Sequence, residues 1–416
     1  MSTPWMHRYA QRTHRMTSSA IRELLKLTTR PDVISFAGGL PAPELFPIEE
    51  FRAAADSVLA KQGRQALQYS TTEGYPPLRE MIVRHMARYG IIVDIENVLI
   101  TTGSQEALDL VGKVLINPGD RILTEEPTYL GAIQAFTMYG ADYVTVPIDA
   151  DGLQTALLEE ALRSGPKFMY ILPNFQNPAG TTMPLERRLD LIAMAGRYGI
   201  PIIEDDPYGQ LRYEGDHIKP LVVLDAEAQH CEKSGHYTGN VIYLSTFSKT
   251  LAPGLRLGWV VAPKDVIARL VQAKQGTDLH TSTLDQMIAY EVARGGFIDL
   301  HVRRIRDVYR RRRDLMLASL ERAFPDPSAG VRWTRPQGGL FLWVMVPEWI
   351  DTALVLEDAV RERVAFVPGA AFHPLGGGRN TMRLNFSNAT EPMIEEGIAR
   401  LARALEKRMQ ARAVPV

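Results

Sequence analysis

The spacing of apolar residues predicts a repeated strand–helix pattern through the middle of the chain. From about Asn97 to Lys274, short apolar runs alternate with segments whose apolar residues recur at helical spacing. The strand-like runs are 98–101, 120–124, 142–147, 168–172, 201–205, 241–244 and 258–261. Because apolar strands that alternate with helices form parallel sheets covered on both faces, we expect an α/β fold with a mixed, mostly parallel sheet.

The pattern changes after about Thr283. A long helical stretch begins there, broken near Gly295-Gly296. The following segments are strand-like at 340–344, 365–367 and 381–386 and helical at 394–409. These predict a smaller α+β unit. We therefore expect a large domain over 51–290 and a small domain formed by 1–50 and 291–416.

Composition and charge narrow the class of protein. The chain has 416 residues, enough for two or three domains, and its net charge of -1 gives no general attraction to nucleic acid or to an anionic membrane. The single cysteine, Cys231, excludes an intrachain disulfide. Neither a secretory signal nor an apolar run of about 20 residues is visible, so we expect a cytoplasmic protein.

One basic cluster departs from the near-neutral charge of the chain. Arginines crowd the segment 303–313, a composition that also occurs in nucleic-acid-binding proteins. However, Val302, Ile305 and Tyr309 recur among them at helical spacing. We therefore expect the arginines to occupy the solvated face of a helix.

The most informative single residue is Lys249. It follows the strand-like run that ends at Leu244, so it is expected on a turn at the carboxyl end of a strand, where open α/β sheets bind ligands. A lysine amine forms a Schiff base with an aldehyde. Hydroxyls at Thr246 and Ser248 and the guanidinium of Arg256 are suited to a phosphate. The alternative is a surface lysine in a polar loop.

A second turn is suited to a phosphate. Gly103-Ser104-Gln105 follows a predicted strand and opens a predicted helix, where free backbone N–H groups and the helix dipole favour an anion. An ordinary capped turn explains the same residues. The chain lacks a glycine-rich dinucleotide fingerprint after a strand.

Further polar residues follow other predicted strands. Asp205 ends the run 201–205, and a buried carboxylate there would suit a protonated pyridine nitrogen. Tyr208 would reach a ring oxygen, and Tyr129 would stack on a flat ring. Asn177 precedes a proline after another strand and offers an amide to a cofactor hydroxyl or a carboxylate. Core packing for the tyrosines and a plain turn for the asparagine are the alternatives.

Arg383 lies in a strand-like run in which polar and apolar residues alternate. Met382 and Leu384 share one face, so Arg383 points to the other. On a strand that faces a cleft, an arginine binds a carboxylate with two hydrogen bonds. The alternative is a solvated arginine.

Together these motifs resemble the fold-type I, pyridoxal-phosphate-dependent aminotransferases of the class I/II group. Within that group the chain is most similar to 2-aminoadipate aminotransferases, relatives of the kynurenine/aminoadipate enzymes. The resemblance extends from the segment 34–41 to the last helix, with the motifs in the expected order. It implies a pyridoxal phosphate cofactor, amino acid and 2-oxo acid substrates, and no metal.

The resemblance also implies a role for each residue. Lys249 would carry the cofactor and move a proton, Asp205 would pair with the pyridine nitrogen, and Asn177 and Tyr208 would bond the ring oxygen. Tyr129 would stack on the ring. The phosphate would be held by Ser104, Gln105, Thr246, Ser248 and Arg256, and by Tyr69 from the partner subunit of a homodimer.

Substrate recognition is implied in the same way. Arg383, assisted by Asn177 and Gly39, would bind the α-carboxylate. Arg22, in an N-terminal segment that caps the substrate, would reach the far carboxylate of 2-aminoadipate or glutamate; a solvated helix arginine is its alternative reading. Donors with aromatic or branched side chains remain open.

Two other functions remain open as alternatives. One is a different reaction on the same cofactor, such as elimination or decarboxylation, which fold alone does not exclude. The other is a transcription regulator with an aminotransferase-like domain. The regulator is disfavoured because the aminotransferase pattern begins by about Ser19, which leaves no room for an N-terminal winged-helix domain.

Overall fold

A computed structural model describes residues 4–15, 32–231 and 237–413 of the chain. The helices in this part are α1 Ile48–Ala66, α2 Pro76–Ala87, α3 Ser104–Leu115, α4 Leu130–Thr137, α5 Leu158–Arg163, α6 Leu185–Tyr198, α7 Leu221–Ala228, α8 Lys264–Gln275, α9 Thr283–Ala293, α10 Phe297–Ala323, α11 Thr352–Arg361 and α12 Glu391–Ala413. The strands are β1 Ile34–Ser35, β2 Val98–Thr101, β3 Arg121–Glu126, β4 Asp142–Asp149, β5 Gly152–Leu153, β6 Met169–Ile171, β7 Ile202–Asp205, β8 Val241–Thr246, β9 Gly258–Val261, β10 Arg332–Trp333, β11 Phe341–Met345, β12 Val364–Ala365, β13 Val367–Pro368 and β14 Thr381–Asn385.

An eight-stranded sheet forms the centre of the molecule. Its strand order is β2-β9-β8-β7-β6-β3-β4-β5. Strands β8, β7, β6, β3 and β4 are parallel, whereas β9 runs antiparallel between β2 and β8, and β5 is antiparallel to β4. The predicted mixed, mostly parallel sheet is confirmed.

Successive residues of the central strands pack on opposite faces of the sheet. In β8, Val241 and Tyr243 belong to one hydrophobic cluster, and Ile242 and Leu244 to another. Helices α2, α5, α6, α7 and α9 cover the first face, and α3, α4 and α8 cover the second. Burial on both faces explains why these strands are continuous apolar runs.

A third hydrophobic cluster lies beside the central sheet. It is built from β10, β11 and β14 of the four-stranded sheet β10-β11-β14-β13 and from helices α10, α11 and α12. The parallel pair β1–β12 brings the N-terminal strand to this cluster. Within the described residues, no helix is long and apolar enough to cross a membrane.

The expectation for the basic cluster is wrong in part. Arg303, Arg304, Arg310 and Arg311 are exposed on α10 as predicted, but Arg312 and Arg313 are buried. Their guanidinium groups form ion pairs with Glu44 and Glu214, respectively. Carboxylates brought by distant segments satisfy both charges, so helical spacing alone did not reveal the burial.

Candidate active site

A pocket of about 340 Å³ opens where the carboxyl ends of β3, β6, β7 and β8 meet. Its lining includes every residue that the sequence predicted for the site except Tyr69 and Arg22. These residues are Gly39, Ser104, Gln105, Tyr129, Asn177, Asp205, Tyr208, Thr246, Ser248, Lys249, Arg256 and Arg383. Most of them come together because parallel strands end at the same edge of a sheet, so the loops that follow them are neighbours. Gly39, after β1, and Arg383, on β14, reach the pocket from outside the central sheet.

Lys249 stands just past the end of β8, with its side chain in the pocket. Its Nζ donates a hydrogen bond to the carbonyl oxygen of Gly39, at 2.7 Å. Burial lowers the pKa of Lys249 to about 8, and the positive charges of Arg383 and Arg256 act in the same direction. Near neutral pH this amine therefore has a much larger uncharged, nucleophilic fraction than a solvated lysine.

Asp205 is the last residue of β7, and it is almost fully buried. Its Oδ2 accepts a hydrogen bond of 2.6 Å from the hydroxyl of Tyr170, whereas its Oδ1 is buried without a partner in the described part of the chain. Burial raises the pKa of Asp205 to about 7, with a further contribution from Asp206. A carboxylate with one free buried oxygen is suited to a cationic N–H donor.

Two glycines shape the side of the pocket near Arg256. Gly103, at φ +75°, is the N-cap of α3, where it provides no side-chain cap. A Cβ at Gly103 would lie 2.5 Å from Nη2 of Arg256, and one at Gly258 would lie 2.6 Å from the backbone nitrogen of Ser104. Both approaches therefore require glycine, and they join a guanidinium to the positive end of a helix, which together favour an anion.

Hydroxyl groups complete this part of the pocket. Thr246 Oγ1 donates to the carbonyl oxygen of Leu257 at 2.8 Å, and the backbone N–H of Ser248 donates to Thr246 Oγ1 at 3.1 Å. Arg256 has a left-handed backbone (φ 52°), which it adopts at the end of the short helix Pro253–Leu255. Ser248, just after β8, and Arg256, at the end of this short helix, line the same pocket.

Arg383 lies on β14 and is only 2% exposed, which rules out the solvated alternative. It donates from Nη1 to Asn177 Oδ1 and from Nη2 to the Ala37 carbonyl oxygen, both at 2.8 Å. Its guanidinium lies 4.2 Å from the ring centre of Phe341 and 5.0 Å from that of Phe372. Among the described residues its Nε has no hydrogen-bond partner. A buried cation that has no carboxylate partner in the described part of the chain is suited to an anionic ligand.

Asn177, Tyr208 and Tyr129 lie around the same space. Asn177 Nδ2 is 3.4 Å from the Tyr208 hydroxyl, and the Tyr129 hydroxyl is 3.5 Å from Gln105 Oε1. Burial is the first cause of the raised pKa of both tyrosines, so they remain protonated hydrogen-bond donors at neutral pH. The long distances leave both hydroxyls available to a ligand.

The family model for aminotransferase class I and II matches residues 31–401. The chain belongs to this family. An aromatic-amino-acid aminotransferase 1 from Thermococcus litoralis is 47% identical over 409 residues, covering 97% of this chain and 95% of that protein. A 2-aminoadipate transaminase from Thermus thermophilus is 46% identical over 403 residues, covering 97% of each.

A solved structure supports the same family assignment. The crystal structure of an α-aminoadipate aminotransferase from Thermus thermophilus, complexed with N-(5'-phosphopyridoxyl)-L-leucine, has a TM-score of 0.90 and 43% sequence identity to this aminotransferase. The match covers 98% of this chain and 100% of that one. The predictions of a fold-type I, pyridoxal-phosphate-dependent aminotransferase with amino acid and 2-oxo acid substrates are confirmed.

The pocket of this aminotransferase fits pyridoxal phosphate. Asp205 Oδ1, which has no partner among the described residues, offers an acceptor for the ring nitrogen, and Lys249 offers a primary amine. The turn at Gly103, kept open by the absence of a Cβ, offers backbone N–H groups and Arg256 to a phosphate. These three features match the three parts of the cofactor.

Two predicted residues are not in the pocket of this aminotransferase. Tyr69 lies between α1 and α2, with 78% of its surface exposed and its ring perpendicular to that of His280 at 5.9 Å. Arg22 lies outside the described residues.

Sequence reasoning missed two side chains of the aminotransferase site. Phe341, on β11, lies under the Arg383 guanidinium and packs edge-on against Tyr208. Tyr170 is hidden within the apolar run 168–172. The sequence signal for Tyr170 was a hydroxyl-bearing side chain in the predicted buried strand 168–172, which precedes the predicted strand that ends at Asp205.

Proposed function

We propose that this aminotransferase moves the amino group of an L-amino acid to a 2-oxo acid such as 2-oxoglutarate by a ping-pong reaction at Lys249. One observation carries the proposal: Lys249, Asp205 and Arg383 line one pocket, and each has a group suited to a different part of the reacting complex. Both substrates would use the same pocket in turn, because the amino acid and the oxo acid share an α-carboxylate.

When bound, pyridoxal phosphate supplies an aldehyde that takes up an amino group and a ring that withdraws electrons. Asp205 would accept a hydrogen bond from the ring nitrogen, which keeps that nitrogen positive. Asn177 and Tyr208 would bond the ring oxygen, and Tyr129 would stack on the ring. The phosphate would be held by Ser104, Gln105, Thr246, Ser248 and Arg256.

Lys249 would also carry the proton. With a pKa of about 8, its Nζ both accepts and returns a proton near neutral pH. The Gly39 carbonyl, which accepts from Nζ at 2.7 Å, gives the amine a fixed resting position in the pocket. Gly39 and Asn177 would orient the substrate that Arg383 binds.

Substrate recognition would divide between two arginines. Arg383 would bind the α-carboxylate of every substrate, because it is buried and its Nε is free of partners in the described residues. Arg22 would bind the far carboxylate of 2-aminoadipate or glutamate, in line with the named activity of the Thermus thermophilus relative. An aromatic or branched-chain donor is the second candidate, supported by the apolar walls at Leu40 and Phe341 and by the Thermococcus litoralis relative.

A panel of donors with 2-oxoglutarate tests this proposal. We expect stoichiometric glutamate from every accepted donor, with no ammonia or carbon dioxide, and the highest kcat/KM for 2-aminoadipate. Lys249→Ala should lower kcat by at least about a thousandfold. Multiple turnovers by Lys249→Ala, or release of ammonia instead of glutamate, would refute transamination at this lysine.

Arg22→Ala separates the two donor classes. If Arg22 binds the far carboxylate, kcat/KM should fall for 2-aminoadipate and glutamate and stay unchanged for leucine, which lacks that group. Leucine serves as the internal control because it still requires Arg383. An equal loss for glutamate and leucine would show that Arg22 does not recognise the far carboxylate.

We also propose a homodimer in which Tyr69 of one subunit reaches the phosphate of the other. Tyr69 is highly exposed and lies outside its own pocket, and Leu67 and Leu279 expose further apolar surface. Exposed apolar groups of this kind mark interfaces. Mixing Tyr69→Ala with Lys249→Ala should restore activity, because each hybrid dimer would have one intact site. Failure of mixing, with subunit exchange confirmed, would exclude shared sites.

The domain division at 51–290 and the cytoplasmic location are further parts of this proposal. The hydrophobic clusters on the two faces of the central sheet and the separate cluster around β11 and β14 support two domains. The single cysteine is consistent with a reducing compartment. Limited proteolysis that releases a stable core near these boundaries would test the division.

A further inference from the structure

Tyr170 makes a buried contact that the reaction as described does not use. Its hydroxyl donates to Asp205 Oδ2 at 2.6 Å, and both side chains are withdrawn from solvent. Two other buried tyrosines bond different acceptors: Tyr237, just before β8, donates to the Val241 carbonyl oxygen, and Tyr243, on β8, donates to Asp206. Tyr170 instead bonds the carboxylate whose other oxygen lies free beside the pocket.

The sheet register explains why these two side chains meet. Tyr170 of β6 pairs with Ile203 of β7. Side chains two residues apart on a strand share a face, so Asp205 lies on the same face as Ile203 and diagonally opposite Tyr170. The aromatic ring of Phe136, perpendicular to that of Tyr170 at 5.7 Å, packs beside it in the same cluster. The hydroxyl is thus held by the sheet and by packing.

This contact gives the two oxygens of the Asp205 carboxylate different roles. Oδ2 is occupied by Tyr170, which orients the carboxyl plane, and Oδ1 is left without a partner in the described residues. A hydrogen bond to one oxygen also draws charge from the other and makes the carboxylate less basic. A less basic carboxylate pairs with a protonated ring nitrogen without removing its proton.

The surroundings of Asp205 favour its protonated form, so the bond from Tyr170 matters for keeping the carboxyl group ionised. Burial and the neighbouring Asp206 both raise the pKa of Asp205, and the bond from Tyr170 lowers it. Burial and Asp205 itself raise the pKa of Tyr170 well above its usual value, with further contributions from Tyr129 and Glu125, so the phenol stays a donor. Within the described residues, Asp206, Tyr129 and Tyr208 interact with Asp205, and Tyr129 and Glu125 interact with Tyr170.

We infer that Tyr170 is a positioning residue that holds Asp205 ionised and aimed at the cofactor ring nitrogen, and so sets the protonation of that nitrogen. This inference rests on the proposed pairing of Asp205 with the ring. Tyr170 touches neither substrate nor cofactor in it. It acts only through the carboxylate.

Tyr170→Phe tests the inference with holoenzyme and apoenzyme. Without the hydroxyl, Asp205 becomes more basic and less ordered. We expect the Kd of the apoenzyme for pyridoxal phosphate, measured by equilibrium dialysis, to rise by about tenfold at pH 8, the effect of one buried hydrogen bond to a charged group. The increase should be larger at pH 6, where more of the Asp205 carboxyl is protonated. We also expect kcat to fall while KM stays nearly unchanged.

The ring nitrogen provides a direct readout. With ¹⁵N-labelled pyridoxal phosphate bound, the nitrogen signal of Tyr170→Phe should move toward the unprotonated value. Tyr237→Phe is the matched control, because Tyr237 is an equally buried tyrosine that donates to a different carboxylate, Asp225 Oδ2, at 3.0 Å. Its ¹⁵N signal should match the wild type. Equal signals in both variants and wild type would overturn the inference.

Two further variants keep the outcomes distinguishable. If Asp205→Asn leaves the ¹⁵N signal unchanged, the proposed role of Asp205 fails; if Asp205→Asn moves it and Tyr170→Phe does not, only the inference about Tyr170 fails. Should Tyr170→Phe not fold, difluorotyrosine at position 170 keeps the shape and donates more strongly. It should move the signal toward the protonated value, and no movement would count against the inference.

Discussion

Single residues decide whether the pocket can hold a phosphate, and Gly103 is the clearest case. It has φ +75°, and a Cβ there would lie 2.5 Å from Arg256 Nη2. Gly103→Ala must therefore both strain the backbone and displace Arg256. We expect the Kd for pyridoxal phosphate to rise by at least about tenfold, as when a charge-assisted contact is lost.

Gly196→Ala is the control for this change. Gly196 is exposed within α6 and a Cβ there meets nothing within 4 Å. It should leave the Kd for the cofactor unchanged and slightly stabilise the helix. Unchanged affinity in Gly103→Ala would show that Arg256 does not depend on this glycine.

Residues at strand ends were predictable for a simple physical reason. Loops that follow parallel strands share one edge of the sheet, so Lys249, Asp205 and Asn177 were expected to meet, and they do. Their hydrogen-bond partners were not predictable. The bond from Tyr170 to Asp205 depends on strand order and register, and the contact of Lys249 with Gly39 depends on a segment more than 200 residues away.

At the level of elements, helix α6 carries a buried arginine, Arg188, whose hydrogen bonds join the helix to loops beside the site. Arg188 is fully buried and donates to the carbonyl oxygens of Met183, Lys219 and Pro173 and to Asn174 Oδ1. The loop that begins at Pro173 continues to the pocket residue Asn177. One side chain therefore anchors the segment that presents Asn177.

We expect Arg188→Met to destabilise the protein by about 3 kcal/mol or more, because it leaves several buried carbonyl groups without donors. Arg197→Met, on the exposed side of the same helix, should change the free energy of unfolding by less than about 0.5 kcal/mol. Urea unfolding of both variants measures the difference. Similar values would mean that water replaces the guanidinium of Arg188.

The burial of Arg188 in α6 was not predicted from the sequence. Arg188 occupies the same helix face as Leu191, Ile192 and Ala195, so its position in the apolar pattern was a usable signal. The same holds for Arg312 and Arg313 of α10. Helical spacing identifies the inward face, but whether an arginine there is buried depends on acceptors from other segments.

At the scale of the whole molecule, buried carboxyl groups couple stability to pH. Burial is the main reason that the pKa is raised to about 8 for Glu125 and Glu204 and to about 7 for Asp205. Their pKa values in the unfolded chain are about 4. The native state therefore binds more protons than the unfolded state, and stability falls as pH rises through the native pKa values.

Other titratable groups limit the pH range in which these carboxyl groups determine stability. The histidines with lowered pKa values, such as His85 at about 4, have the opposite effect, which is complete once pH exceeds about 6.5, the pKa of an unfolded histidine. Lys249, lowered to about 8, begins to add stability as pH rises above that value. Between pH 6.5 and 8 the three carboxyl groups therefore dominate.

We expect the apoenzyme to lose on the order of 1 kcal/mol per buried carboxyl group between pH 6.5 and 8, and its Tm to fall accordingly. Asp205→Asn should make this fall smaller, because asparagine does not titrate. Bound pyridoxal phosphate should do the same, because its ring nitrogen gives Asp205 a cationic partner. Calorimetry of the three forms at both pH values measures this, and an apoenzyme Tm that rises with pH would show that these carboxyl groups are ionised in the folded protein.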